Sequence, residues 1–348
     1  MKGLVLEGGG VKGAYQIGSY YAFKDCHITL DGFVGTSIGS FNACMLASNK
    51  AYELLKFWYY VNPGDLFNFD DNFVKSINDK KIDLKSVIGA FSTLKQVTKN
   101  LGIDNNKMMS HIYHVVNYDD LESSKKDFGL VTVRLSGFKP IYVYKEQINN
   151  QEELMQYLMA SCYFPAFREH RLLDNHIYID GGFYDNAPIK LLSDKGYDTA
   201  YVINVKGLGF YRDIPRNIHI VEIKPSRDNG LILELDRSVI RDNIMMGYYD
   251  TLRVLKNLDG YKYCFKKRSD RFYEFIARKV DKRLFRRVQN FFDVYSYKDC
   301  IIKSLEYICE YEHVSYYDVY STYGLIRKFR KIKNKKFIYR FIRELRFF

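Results

Sequence analysis

No Cys-x-x-Cys pair occurs among the cysteines of this chain. Cys26, Cys44, Cys162, Cys264, Cys300 and Cys309 are scattered through apolar surroundings. That spacing argues against a zinc knuckle or a dithiol redox centre, and reads as free buried thiols in a reducing compartment. No apolar run reaches the roughly 18 residues of a membrane-spanning helix. A single lysine, Lys2, precedes the first apolar run, which Glu7 and three glycines then interrupt. This is not a signal peptide, so the expected location is the cytoplasm, with or without peripheral attachment to a membrane. No repeat of solenoid length is present.

What is present suits a folded enzyme-sized chain. Of 348 residues, 47% are hydrophobic and 27% charged, enough to bury a sizeable core in one large α/β domain with a smaller appendage. The formal charge of +12 favours anionic partners such as acidic membrane surfaces or nucleic acid, although abundant lysine also makes an ordinary solvated surface. The aromatic content of 16% reads first as core packing.

Short strands and helices alternate from the start. Leu4, Val5 and Leu6 read as a buried strand, Gly8, Gly9 and Gly10 as a turn, and residues 11–23 as a helix with small residues on one side. Phe33 and Val34 lead into a second turn, and residues 40–48 form a second small-residue helix. Strands are predicted at 128–135, 141–144, 176–179, 200–205 and 218–223, and helices at 152–162, from Pro188 onward, and at 230–258. Residues 62–106 are irregular and read as a cap or loop over a site. The pattern predicts a mostly parallel sheet flanked by helices. Beyond Gly260, Lys, Arg, Phe and Tyr dominate, so the expected division is a domain at 1–258 and a basic, mainly helical region at 259–348.

Three motifs carry chemistry. Gly35-Thr36-Ser37-Ile38-Gly39 matches G-x-S-x-G between a strand and a helix, the setting of a nucleophile elbow. Gly8-Gly9-Gly10-Val11-Lys12-Gly13 places consecutive backbone N–H donors at a helix N-terminus, suited to an oxyanion. Gly8, Gly10 and Gly13 also fit the dinucleotide fingerprint with Asp31 about 20 residues on, but Asp31-Gly32 looks like a turn before the elbow strand. Asp180-Gly181-Gly182 follows a buried strand, and reads either as a capped strand-end turn or as a carboxylate facing a cleft. The histidines are His27, His111, His114, His170, His176, His219 and His313. None stands in a triad context, and only His219 or His313 would fit the chain order Ser, Asp, His. The elbow serine also comes too early for an α/β-hydrolase. A Ser–Asp dyad fits better.

These three ordered motifs resemble the patatin-like phospholipase family, whose members carry G-G-G-x-R/K-G, G-x-S-x-G and D-G-G/A. Ala160-Ser161 with Pro165, and Asn186 with Pro188, agree further. Lys12 stands where many members have Arg, keeping the charge but losing the forked donor. The resemblance covers residues 1–258. It implies a three-layer α/β fold and hydrolysis of lipid acyl esters without metal or cofactor. Ser37 would be the nucleophile, Asp180 the general base and residues 8–10 the oxyanion loop. The competing readings are a lipid- or nucleic-acid-binding protein on a catalytically weak scaffold, for which a broken motif would be the sign, and a nucleic-acid-binding tail, for which no recognised signature occurs. No nucleic acid partner is expected. In the tail, Ile338, Phe341, Ile342, Leu345 and Phe348 recur at helical spacing among Arg340, Arg343 and Arg346. Such a stripe either docks on the protein or lies in an anionic membrane interface.

Overall fold

Leu4, Val5 and Leu6 are fully buried because their strand lies inside a parallel sheet, with a neighbour on each side, and an inner strand is apolar on both faces. A computed structural model describes residues 1–61, 106–163, 171–172, 176–232, 234 and 236–347. The chain divides into two units, Met1–Tyr248 and Tyr249–Phe348.

In the first unit the sheet comprises β1 (Lys2–Leu6), β2 (Gly32–Thr36), β3 (Asp127–Arg134), β4 (Lys139–Tyr144), β5 (Arg171–Leu172), β6 (His176–Asp180), β7 (Thr199–Ile203) and β8 (His219–Ile223). The order is β5-β6-β3-β2-β1-β7-β8, with β4 also paired to β3. The run β3-β2-β1-β7-β8 is parallel, whereas β4 and β6 join β3 antiparallel.

Side chains alternate across this sheet and meet helices on both faces. Phe33 and Tyr201 meet Tyr20 and Phe23 of α1 (Ala14–Asp25), with ring centroids 6.0 and 4.8 Å apart. Beside α1, α2 (Ile38–Ala47) packs on the sheet, and α3 (Ala51–Tyr60) joins both through Asn42, which donates to Gln16 and accepts from Trp58. Val5, Val34, Ala200 and Val202 pack on the other face with Leu191 and Leu192. The first unit is therefore the expected three-layer α/β arrangement. Among the described residues its further α-helices are α4 (Asn106–Val115), α5 (Tyr118–Glu122), α6 (Gln151–Ser161) and α7 (Ile189–Asp194), which carries Leu191 and Leu192, and α8 (Arg237–Leu255) begins in it.

Two expected helices start later than the sequence suggests. Residues 10–13 form a separate 3₁₀ turn before α1, since Gly10 has φ +58°. The helix expected from residue 230 begins at Arg237: Gly230 has φ +77°, and the Asp236 carboxylate takes the Ser238 N–H at 2.7 Å, as a cap does. The cap region expected at 62–106 lies outside the described residues except for Asn106.

The second unit is mainly helical. It contains β9 (Cys264–Phe265) paired with β10 (Val319–Tyr320), and α9 (Asp270–Ala277), α10 (Lys282–Phe292), α11 (Tyr297–Tyr311), α12 (Thr322–Phe329) and α13 (Phe337–Glu344). Ser269, Asp281, Ser296 and Ser321 cap four of these helices through side-chain oxygens. Its core includes Tyr273, Ile301, Leu305, Ile308, Phe329 and Phe341. Among the described residues no helix is long and apolar enough to cross a membrane.

Candidate active site

The central strand β3 sets the spacing of the site. Its residues Asp127 to Val131 pair with β2, ending at Thr36 opposite Val131. The next residue, Thr132, pairs with Asp180 of β6. Because β4 occupies the other edge of β3 at Thr132, β6 must continue the edge that β2 vacates. Ser37 leaves β2 and Asp180 ends β6 at adjacent register positions. Two residues 143 positions apart in sequence thus meet, with the Ser37 side chain close enough to the Asp180 carboxylate to favour its charged form.

Ser37 sits at φ 54°, ψ −132°, a region that non-glycine residues rarely occupy and that costs on the order of 1–3 kcal/mol. The turn is held from several sides. The Ser37 N–H donates to Ser161 Oγ at 3.0 Å, and Ser161 Oγ donates to the Val131 carbonyl at 2.8 Å. The Ser40 hydroxyl donates to the Ser37 carbonyl at 2.6 Å. A Cβ at Gly35 would stand 2.2 Å from the Gly39 oxygen, and one at Gly39 would stand 2.1 Å from the Leu6 oxygen. Only glycine fits either place, which is the physical content of the elbow motif. Ile38 is the first residue of α2 and is buried.

Asp180 is almost fully buried. Its Oδ1 accepts the Gly182 N–H at 2.8 Å, and its own N–H donates to the Tyr163 carbonyl at 2.8 Å. Burial raises its pKa to about 6, against the lowering effect of the Ser37 and Gly182 hydrogen bonds. A Cβ at Gly181 would strike the Val131 carbonyl at 2.2 Å. The Cys162 thiol lies beside Ser37, Ser40 and Asp180, and burial pushes its pKa well up.

The glycine loop approaches the same point. A Cβ on Gly8 would be 3.0 Å from Ser37 Cβ and 2.5 Å from Asn186 Oδ1. The Gly8 N–H is already donated to the Asn186 carbonyl at 3.3 Å, whereas among the described residues the N–H groups of Gly9 and Gly10 have no acceptor. Gly13 serves packing: a Cβ there would stand 2.9 Å from Trp58. Lys12 is buried and its Nζ reaches the Lys206 carbonyl at 3.4 Å. Burial lowers its pKa, with Asp228 and Glu7 opposing.

Glu7 is the residue that motif reading passed over. It is fully buried and accepts from Asn186 Nδ2 at 3.0 Å, from the Val205 and Gly207 N–H groups and from the Tyr211 hydroxyl. Burial outweighs those bonds and raises its pKa to about 7. Its signal in the sequence is a charge directly after an apolar strand, which must find partners if buried. His219 lies at the first position of β8, level with Thr199 and Lys2, at the sheet end opposite Ser37. The side chains of His111 and His170 lie outside the described residues. Among the described residues no three or more His, Cys, Asp or Glu side chains converge as a metal site requires.

Residues 4–193 match the patatin-like phospholipase family. Rat patatin-like phospholipase domain-containing protein 7 is 25% identical over 206 residues, covering 58% of this chain and 13% of that protein. Lysophospholipase nte1 of Aspergillus terreus is 24% identical over 207 residues, covering 58% and 12%. The chain thus aligns with about one eighth of the length of these curated relatives. Among solved structures, VipD from Legionella pneumophila is 12% identical, with a TM-score of 0.41 over 98% of this chain and 83% of that one. The type III effector ExoU is 12% identical, with a TM-score of 0.36 over 98% and 73%. The match over residues 4–193, more than half of the chain, makes this protein a member of the patatin-like phospholipase family.

Proposed function

We propose that the protein is a serine acyl-ester hydrolase acting on lipids, with Ser37 as nucleophile and Asp180 as general base. The observation that carries this reading is the register of β3, which brings a serine of positive φ beside a buried carboxylate. Ser37 Oγ attacks the ester carbonyl carbon while Asp180 accepts its proton. The tetrahedral oxyanion is received by the Gly9 and Gly10 N–H groups, the loop donors that have no other acceptor among the described residues. Collapse breaks the C–O bond and Asp180 returns the proton to the leaving alcohol. Water then attacks the acyl-serine, gives a proton to Asp180, and the acid leaves as that proton returns to Ser37 Oγ.

An ordinary aspartate is a weak base. Raised from 3.8 to about 6, Asp180 is about a hundredfold more basic and still mostly ionised at neutral pH, the compromise general base catalysis requires. Glu7 acts as a positioning residue. It ties β1, which leads into the glycine loop, to Asn186 and to residues 205–211.

A fluorophosphonate probe tests the nucleophile. Wild type should be labelled and Ser37→Ala should not, with turnover of a short soluble ester falling on the order of 10⁴-fold or more. Equal labelling of both proteins would remove Ser37 from the mechanism. Mass spectrometry of products from a mixed lipid extract would identify the lipid class and acyl position.

A further inference from the structure

The apolar stripe of α13 is not available to a membrane. Ile338, Phe341, Ile342 and Leu345 are buried in the core of the second unit. The charge is a different matter. Residues 249–348 hold 25 of the 53 lysines and arginines but only 12 of the 41 acidic residues, a formal charge of +13. The other 28 basic and 29 acidic residues give the first unit −1. The net charge of the chain therefore belongs entirely to its last hundred residues.

Within that unit eight exposed cations come together on α10 and the turn that follows Arg330. Helix α10 turns Leu284 and Val288 inward and exposes Lys282, Arg283, Arg286 and Arg287, which share its outer side. Next to it runs the turn 331–336, with lysines exposed at 331, 333, 335 and 336. The two are joined: the Arg287 guanidinium lies 4.2 Å from the Phe337 ring centroid, and Phe291 meets the same ring edge-on at 5.3 Å. The turn is fixed from behind by Arg343, which donates to the Ile332 and Asn334 carbonyls at 3.1 and 3.0 Å. Among the described residues none of these eight cations meets a carboxylate, whereas Lys262, Lys267, Lys298 and Arg340 all do. Two aromatic rings, Phe291 at 52% and Tyr311 at 50% exposure, stand among them, Tyr311 under Lys336.

We propose that α10 and the turn 331–336 form a docking face for anionic lipid surfaces. Unpaired cations on a rigid face gain most from a surface of negative charge, and half-exposed rings beside them suit the headgroup layer. The choice of lipid over nucleic acid rests on the lipid-hydrolase reading of the Ser37 site. The face works by charge with its helix docked, not by insertion of α13.

The test uses the full chain and ether-linked lipids, which an esterase cannot cleave. Wild type should co-sediment with phosphatidylcholine vesicles containing phosphatidylglycerol, not with phosphatidylcholine alone, and should be released by salt. Replacing Lys282, Arg283, Arg286 and Arg287 by Gln should lower partitioning on the order of 100-fold and leave short-ester hydrolysis unchanged. Replacing Lys2, Lys24, Lys56 and Lys139 of the first unit by Gln, a control that removes equal charge, should leave both unchanged. Equal loss in the two quadruple variants, no binding to anionic vesicles at low salt, or tighter binding to duplex DNA than to vesicles would each overturn the proposal. Failure of the Ser37 reading would appear separately, as ester hydrolysis that survives Ser37→Ala.

Discussion

Asp180 in the first unit and Asp259 in the second are both buried aspartates, and their surroundings push them in opposite directions. Asp180 accepts from the Gly182 N–H and, among the described residues, has no cation as partner, and burial raises its pKa to about 6. Asp259 accepts from the Arg268 N–H and the Tyr273 hydroxyl, and pairs with Lys298 at 2.6 Å and Lys267 at 3.1 Å. Burial opposes its ionisation too, but these partners outweigh burial and lower its pKa. A carboxylate that holds a fold together is given cations. One left without them keeps its proton affinity, which is what a general base needs. Glu7 falls on the Asp180 side of this division, since its closest partners are neutral N–H and O–H donors.

The largest effect expected from this contrast is at Asp180. Asp180→Asn should retain the fold and lose on the order of 10³-fold or more in ester turnover, because the amide cannot accept the serine proton. Esterase activity of the wild type should fall about tenfold per pH unit below the Asp180 pKa near 6. His219→Ala should be harmless, since His219 lies at the far end of the sheet. If it proved as damaging as Asp180→Asn in a folded protein, the dyad would be wrong.

A smaller effect is expected at Asp259. Lys298→Met leaves it with Lys267 alone and should cost about 2 kcal/mol of stability in denaturant titrations at neutral pH. The signs of the pH dependence also separate the two groups. Asp259, lowered in the folded state, contributes stability that is present above the ordinary aspartate range and is lost as pH falls through its folded pKa. Asp180 and Glu7, raised, contribute stability that is fully present in acid and is lost as pH rises to about 6 and 7. Lys298→Met should therefore flatten the acid limb of the stability profile, and Asp180→Asn should flatten the limb between about 4 and 6. An unchanged acid limb in Lys298→Met would break the comparison.

The smallest effect is at Glu7. Glu7→Gln keeps the shape of the side chain but sets an amide N–H₂ against one of its four donors. Turnover should fall about tenfold with little change in KM, as expected when transition-state contacts alone are disturbed. Glu7→Asp should restore part of it. Loss of KM and kcat together, or no loss at all, would make Glu7 a structural residue only.

Much of this was legible before any coordinates. The strands at 128–135, 176–179 and 218–223 and the helix at 152–162 lie within one or two residues of β3, β6, β8 and α6, because each combines an apolar run with turn residues at its ends. Ser37 and Asp180, singled out by their motifs, stand at adjacent register positions of the sheet. Glu7 was legible only as an interruption, since nothing local tells that residues 186, 205, 207 and 211 converge on it. The glycine motif offers the N–H groups of residues 8–10, but no local pattern tells that the Gly8 N–H goes to the carbonyl of Asn186, a residue 178 positions away.

The linear chain settles what depends on near neighbours. Glycines at 35 and 39 admit a tight turn after a short apolar strand, an apolar stripe predicts that α13 has an inner face, and composition alone marks the last hundred residues as basic. Register and burial needed the folded chain. β3 places Thr36 and Asp180 opposite consecutive residues, so the meeting of Ser37 and Asp180 follows from strand pairing over long separations that no local pattern encodes. Burial without a cation raises Asp180, burial with two cations lowers Asp259, and packing turns the stripe of α13 inward while the cations of α10 face water. Each outcome depends on which groups distant in sequence come within a few ångströms, and that is decided by the competition of all elements for one core.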